Sequence, residues 1–323
     1  MDLGSIVEID LEITSHCNLH CPQCPRFDNL GHLSPYLTLG HLDLASVRRH
    51  IDLARLPNLN RVILEGDHGD ALAHPDLIGF LEHFASVPVI TIVTNGSMRL
   101  PRWWQRLAQI PNVQVTFSID GLEDTNALYR INARWSRIMD NVKAFIASGG
   151  HATWKMLVFQ HNQHQVDQVR ALADSMGFRD MRIEYTNRSW SHGDVYPVYV
   201  AGNYMHNIRI SDKSPPAQPA SGSYALTRLD KNFVVPTCAW RRHGKIYINY
   251  LGHVLPCCMT SSRSWAPDIS GQLWRRITGD VHDLDINHHC LHDILAKDFF
   301  QHRLQESLAD PGQVHHVCVS NCS

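Results

Sequence analysis

The segment Thr14 to Phe27, TSHCNLHCPQCPRF, puts three thiols, Cys17, Cys21 and Cys24, on one short loop. Three thiolates can hold three irons of a 4Fe-4S cubane and leave the fourth iron without a protein ligand, open to another molecule. The other chemistry such a loop supports is a zinc site completed by His16 or His20. Three unrelated buried thiols are a poor fit to that density. The remaining six of the nine cysteines all lie beyond residue 237.

Composition narrows the setting. The opening MDLGSIVEID has neither the basic start nor the apolar middle of a signal peptide, so a cytoplasmic location is expected. Clustered thiols in a reducing compartment point to metal or redox chemistry rather than disulfides, and an odd count leaves at least one unpaired. A net charge of -2 gives no electrostatic reason to expect a nucleic-acid partner. No apolar run approaches the length that spans a bilayer, so no membrane partner is expected. The 22 histidines are many, and the pattern gives them no role.

The elements that must position the loop alternate in type. β-rich runs occur at 7–13, 61–66, 89–96, 113–121, 153–160 and 181–186, and segments with helical spacing of apolar residues lie between them. Pro75-Asp76 and Pro101 open two helices, and Gly149-Gly150 and Gly177 close two more. This alternation predicts a parallel sheet with right-handed crossovers. Six βα units are two short of a full barrel, so the expected fold is α/β: a partial (β/α)6 TIM-like barrel over 1–190 with its site at the C-terminal strand ends. A connecting, substrate-specific region is expected over 191–235, containing NRSW, YPVYV and NYMHN and a Pro/Ser-rich stretch at 211–223. A smaller α+β domain follows over 236–323. Its hairpin is KIYINYLGHVLPCC (245–258), and 291–308 reads as one amphipathic helix.

Cys17-Asn-Leu-His-Cys21-Pro-Gln-Cys24 comes directly after the first strand and resembles the CX3CX2C signature of radical SAM enzymes. The resemblance implies a 4Fe-4S cluster whose open iron chelates S-adenosylmethionine (SAM). It also implies reductive cleavage of SAM to a 5'-deoxyadenosyl radical, hydrogen-atom abstraction from substrate, and an external one-electron reductant of the flavodoxin or ferredoxin type. GDALAHPDL (69–77) resembles the motif that holds the SAM amine, with Asp70 where glutamate is usual and Glu65 as a substitute. TNGS (94–97) and SIDG (118–121) resemble the strand ends that approach the ribose and methionine, which implies Asn95, Ser118 and Asp120 as SAM contacts. Arg130 occupies a position often basic in the family, with Arg134 as rival. Gln160 and Asn162 belong to a resembling fifth-strand segment. Gln23, where the family often has an aromatic or apolar residue, is expected to reach adenine through its backbone.

Cys238, thirteen residues, Gly252, four residues and Cys257 resemble the opening of the SPASM and twitch extensions, which hold auxiliary iron–sulfur clusters. The cysteines beyond are too few for two full clusters. The resemblance therefore implies the twitch-like version, with one auxiliary 4Fe-4S cluster on Cys238, Cys257, Cys318 and Cys322. Cys258 is either a small buried residue or a hydrogen-atom donor to a substrate radical. Cys290 either replaces Cys318 or is structural. The expected activity is peptide or protein modification by epimerisation, cross-linking or oxidation. The alternatives are a small-molecule dehydrogenase of the aminocyclitol-oxidising type and a non-catalytic metal-binding or electron-transfer protein. The chain runs straight into its first strand with no appended peptide-recognition domain, which counts against a peptide substrate.

Overall fold

A computed structural model describes residues 2–186, 195–214, 235–261, 269–315, 318–319 and 322. The alternation read from the sequence becomes β1 (Glu8–Leu11), α1 (Leu44–His50), β2 (Arg61–Leu64), α2 (Leu77–His83), β3 (Val89–Thr94), α3 (Pro101–Leu107) and β4 (Val113–Ser118). It continues with α4 (Glu123–Tyr129), α5 (Trp135–Ala147), β5 (His151–Val158), α6 (Val166–Met176) and β6 (Asp180–Tyr185). β1 to β6 are all parallel and lie in sequence order.

Local chemistry sets the helix ends. Asp43 and Asp76 cap α1 and α2 by accepting backbone N–H bonds, Pro101 is the first residue of α3, and Gly177 closes α6 at φ 86°. Helix α4, which carries no strong periodic signal, adds a second helix between β4 and β5. The side chains that alternate along the strands divide the labour. Val62, Leu64, Ile90, Ile92, Val115 and Trp154 are fully buried against the helices, while the opposite face of the sheet carries Glu8, Asp10, Glu12, Glu65 and Lys155. The apolar core is therefore outside the barrel wall, and its concave side is left polar for the site.

The C-terminal region does not stand apart from this sheet. After a two-stranded hairpin, β7 (Val195–Val200) and β8 (Asn203–Arg209), come α7 (Ala239–Arg242), β9 (Lys245–Ile248) and β10 (Val254–Leu255). The expected hairpin forms, turning at Gly252 with φ 95°, but β9 also pairs in parallel with β1. The sheet thus has eight strands in the order β10-β9-β1-β2-β3-β4-β5-β6.

Part of the expected connecting region is the β7–β8 hairpin, which docks Val198 and Ile208 on Tyr129 and Phe159. NRSW and positions 215–223 lie outside the described residues. After α8 (Ile269–Thr278), the predicted single helix over 291–308 is broken. α9 (Leu291–Ala296) stops at Lys297, whose backbone is extended, and a π-turn over Phe299–Arg303 leads into α10 (Leu304–Ala309). Gln301 donates to the Leu295 carbonyl and meets part of the hydrogen bonding lost at the break.

Gly244 lets β9 reach β1. Its φ is 64°, its carbonyl accepts from Val7, and an added Cβ would sit 2.1 Å from the Ser5 carbonyl oxygen. Gly244→Ala is expected to cost about 1–3 kcal/mol, seen as a lower midpoint in chemical denaturation.

Candidate active site

The C-terminal strand ends enclose a cavity of about 450 Å³. The loop after β1 contributes Cys17, Cys21 and Cys24 to its wall. Burial pushes the Cys17 thiol up to about 12, with Asp70 adding to it. Burial also raises Cys21, to about 11, against the opposing pull of Arg130. Thiols so reluctant to ionise become thiolates only beside strong positive charge, as a bound metal cluster provides. A single zinc ion would hold its sulfur ligands about 4 Å apart. Among the described residues, the one set of three or more ligand atoms gathered within 4.8 Å is Cys290, His292 and Asp293. The loop thiols are not gathered to that degree, and three thiolates on one cavity wall match in kind and number a cubane with one iron left open.

Asp70 reaches the cavity wall, but protein donors already engage its carboxylate. Thr94 Oγ1 donates at 2.9 Å, the Asn95 backbone at 2.8 Å, Asn95 Nδ2 at 2.7 Å and the Leu72 backbone at 3.0 Å. The shorter aspartate therefore fixes the end of β3. Through it, Asn95 Nδ2 comes to 3.8 Å from Cys17 Sγ. Asn95 and Ser118 both line the cavity.

Arg130, not the exposed Arg134, faces the cavity. Its Nε donates to Asp120 at 2.7 Å and its Nη1 lies 4.0 Å from Cys21 Sγ. Burial opposes the Arg130 charge, but Asp120 outweighs it and holds the pKa above the usual arginine value.

Three expected contacts are placed elsewhere. Asp120 is 0% exposed and lies off the cavity wall, accepting from Arg130 and from the Leu157 backbone. It positions Arg130 instead of meeting the cavity itself. Gln160 is exposed because β5 ends at Val158 and the chain turns out to bond Arg209 of β8, while Asn162 is spent on the Asp120 and Leu157 carbonyls. Gln23, at φ 62°, lines a separate small cleft with Tyr196 and Tyr199 and is not on the wall of the main cavity.

The sequence reading missed the wall formed where β9 meets β1. Tyr247 lines the cavity, and its hydroxyl donates to buried Glu12 at 2.7 Å. Glu12 also accepts from the His68 backbone at 2.7 Å. Burial pulls His68 down, but the hydrogen bond and charge of Glu12 outweigh it and hold the imidazole above its ordinary value. Only knowledge that residue 247 pairs beside residue 10 could have revealed this group.

Cys258 faces the same cavity. Burial first, then Asp67, Cys257 and Glu65, push its thiol far above the ordinary range. Its neighbour Cys257 is raised to about 12 by burial and then by Cys318 and Cys238. Cys318 is in turn raised by burial, Cys238 and Cys322. The Thr237 backbone donates to the Cys322 carbonyl at 2.9 Å. Cys257, Cys318 and Cys238 thus form one neighbourhood, with Cys322 beside Cys238 and Cys318. Cys290 instead keeps company with His292 and Asp293.

A model of the radical SAM superfamily matches residues 11–173, just over half of the chain. The chain belongs to the radical SAM superfamily. Enzymes of that superfamily depend on SAM and a 4Fe-4S cluster. Solved structures with the same fold include Streptococcus suis SuiB bound to S-adenosylmethionine (14% identity, TM-score 0.53, covering 78% of this chain and 60% of that one). SuiB bound to its precursor peptide SuiA matches with 13% identity, a TM-score of 0.60 and 94% and 67% coverage. Native anSMEcpe with bound AdoMet matches with 14% identity, a TM-score of 0.55 and 91% and 81% coverage. The radical SAM chain thus spans less than two thirds of the first of these structures. No helix among the described residues is long and apolar enough to cross a membrane.

The buried charges generate two expectations. Asp120→Ala leaves Arg130 without its partner and is expected to cost about 3–5 kcal/mol, read by denaturation of the cluster-free protein. Asp10 is raised from 3.8 to about 8, by burial first and then by Glu65 and Glu8. The folded state then holds a proton that the unfolded chain has lost, so stability should fall as pH rises from about 4 to 8. Asp10→Asn should flatten that fall in a denaturation series across this range.

Proposed function

We propose that this radical SAM enzyme modifies a peptide or protein and returns a hydrogen atom to the substrate radical from Cys258, an epimerisation. The observation that carries the reading is the placement of adjacent cysteines: Cys258 opens into the cavity of Cys17, Cys21 and Cys24, while Cys257 interacts with Cys238 and Cys318. Cys17, Cys21 and Cys24 would hold the SAM-binding cluster, and Cys238, Cys257, Cys318 and Cys322 one auxiliary 4Fe-4S cluster. When bound, the first cluster and SAM supply a 5'-deoxyadenosyl radical that takes a hydrogen atom from the substrate.

The chain's own residues shape the fate of the substrate radical. Asn95, Ser118 and Arg130 line the cavity in which SAM would be held, with Asp70 and Asp120 fixing Asn95 and Arg130. The Cys258 S–H bond breaks, its hydrogen atom forms the new C–H bond, and a thiyl is left on sulfur. One electron from a flavodoxin- or ferredoxin-type reductant and one proton from solvent restore the thiol. A peptide substrate draws support from the fold shared with SuiB, solved with its precursor peptide SuiA, and with anSMEcpe, solved with the Cp18Cys peptide. The second reading, a small-molecule dehydrogenase, draws on the modest volume and polar walls of the cavity. In that case Cys258 is a bystander.

Oxygen-free reconstitution should load about eight irons per chain, and Cys257→Ala should remove about four. Cys258→Ala should keep both clusters and still release 5'-deoxyadenosine, yet yield no inverted product when peptide is offered in deuterated water. Unchanged product from Cys258→Ala would defeat the hydrogen-return reading.

A further inference from the structure

Of the lysines and arginines that line the cavity, Arg130 is held by Asp120 at 2.7 Å and Lys155 by Glu184 at 3.1 Å. The other is Arg26, just past Cys24, and it makes no salt bridge to the described residues. Arg26 is 7% exposed. Its Nη1 donates to the Cys17 carbonyl at 3.0 Å. Its Nε is buried without a hydrogen-bond partner, and its Nη2 makes no hydrogen bond to the described residues. A buried guanidinium with most of its donors idle is costly, and an anion that accepts from it relieves that cost.

The loop fixes this side chain in advance. The Ser34 backbone donates to the Arg26 carbonyl at 2.7 Å, and Phe27 pairs with Leu33 across an antiparallel bridge. The guanidinium lies 5.3 Å from the centre of the Phe27 ring. With Nη1 taken by the Cys17 carbonyl, Nε and Nη2 make up the remaining fork, whose parallel N–H bonds match the oxygens of a carboxylate. Arg26 also opposes protonation of His68, the cavity residue that shares Glu12 with Tyr247. Arg26 therefore stands toward the wall of His68 and Tyr247, whereas Arg130 stands beside Cys21.

We infer that Arg26 binds a carboxylate of the substrate in this cavity. The inference rests on reading the cavity as the place where substrate meets SAM, and it names the substrate as acidic at the point of contact, through a side chain or a free chain end. One rival role is to offset the negative charge of the cluster. Against it, Arg26 spends Nη1 on a loop carbonyl, while the side-chain nitrogens that approach the sulfurs of Cys17 and Cys21 belong to Asn95 and Arg130. The carboxylate of SAM is the rival occupant, and the experiment separates it from substrate.

The test uses enzyme loaded with clusters and SAM, kept oxygen-free and unreduced. Ligand-observed NMR compares N-acetyl-glutamate methylamide with neutral N-acetyl-glutamine methylamide, for a side-chain carboxylate. It compares N-acetyl-alanine with N-acetyl-alanine methylamide, for a chain end. In at least one pair the acid should bind about tenfold more tightly than its neutral partner, and that pair names the source. The preference should vanish in Arg26→Gln while iron content and SAM affinity hold. Binding that is equal within both pairs, or absent, overturns the inference, as does a preference that survives Arg26→Gln. Loss of SAM affinity in Arg26→Gln also overturns it, because the guanidinium then belongs to SAM. If Arg26→Gln does not load its irons, Arg26→Lys keeps the charge and loses the fork. Its preference should then drop about threefold, and an unchanged preference overturns the inference. No readout needs turnover or Cys258, so failure of the hydrogen-return reading would leave this result standing.

Discussion

Four parallel register pairs, from Glu8 with Lys245 to Leu11 with Ile248, join the C-terminal hairpin to the strand that feeds the cysteine loop. Most of what is distinctive about the cavity depends on this pairing. Without it Tyr247 would not meet Glu12, and Cys258 would not face Cys17, Cys21 and Cys24. The pairing works because Ile246 and Ile248 are fully buried with Ile9 and Leu11, while Lys245 answers Glu8 on the other face. Apolar burial secures the strand, and the ion pair discourages a one-residue slip that would exchange the faces.

That geometry turns the hairpin into a hinge between two kinds of thiol. The backbone changes from extended at Cys257 to a 3-10 turn that begins at Cys258, and there Cys257 meets Cys238 and Cys318 while Cys258 meets the cavity. Strand alternation in β1 and β2 gathers Glu8, Asp10, Glu12 and Glu65 on the concave face, and the surrounding lysines, tyrosine and histidine balance most of that charge.

Much of this was legible in the sequence. The six strands match their β-rich runs, Pro101 and Gly177 mark helix ends where they should, and the loop thiols, Asn95, Ser118 and Arg130 reach one cavity. The features that were not legible depend on partners far along the chain. Asp120 has the right type and spacing for a ligand contact, yet a half-buried arginine ten residues away takes its carboxylate. Gln160 sits two residues past a strand, and a backbone bond to Arg209 carries it outward. The unbroken apolar period of 291–308 gave no sign of the turn at Lys297, because the period is kept on both sides of it.

Asp70 shows how one missing methylene changes a role. A glutamate at this position could extend past the end of β3, whereas the aspartate stops where Thr94 and Asn95 donate to it. Four donors within 3.0 Å leave the carboxylate little capacity for another partner. The cost of burying Asp70 is thus repaid by rigidity at Asn95, whose amide then approaches Cys17.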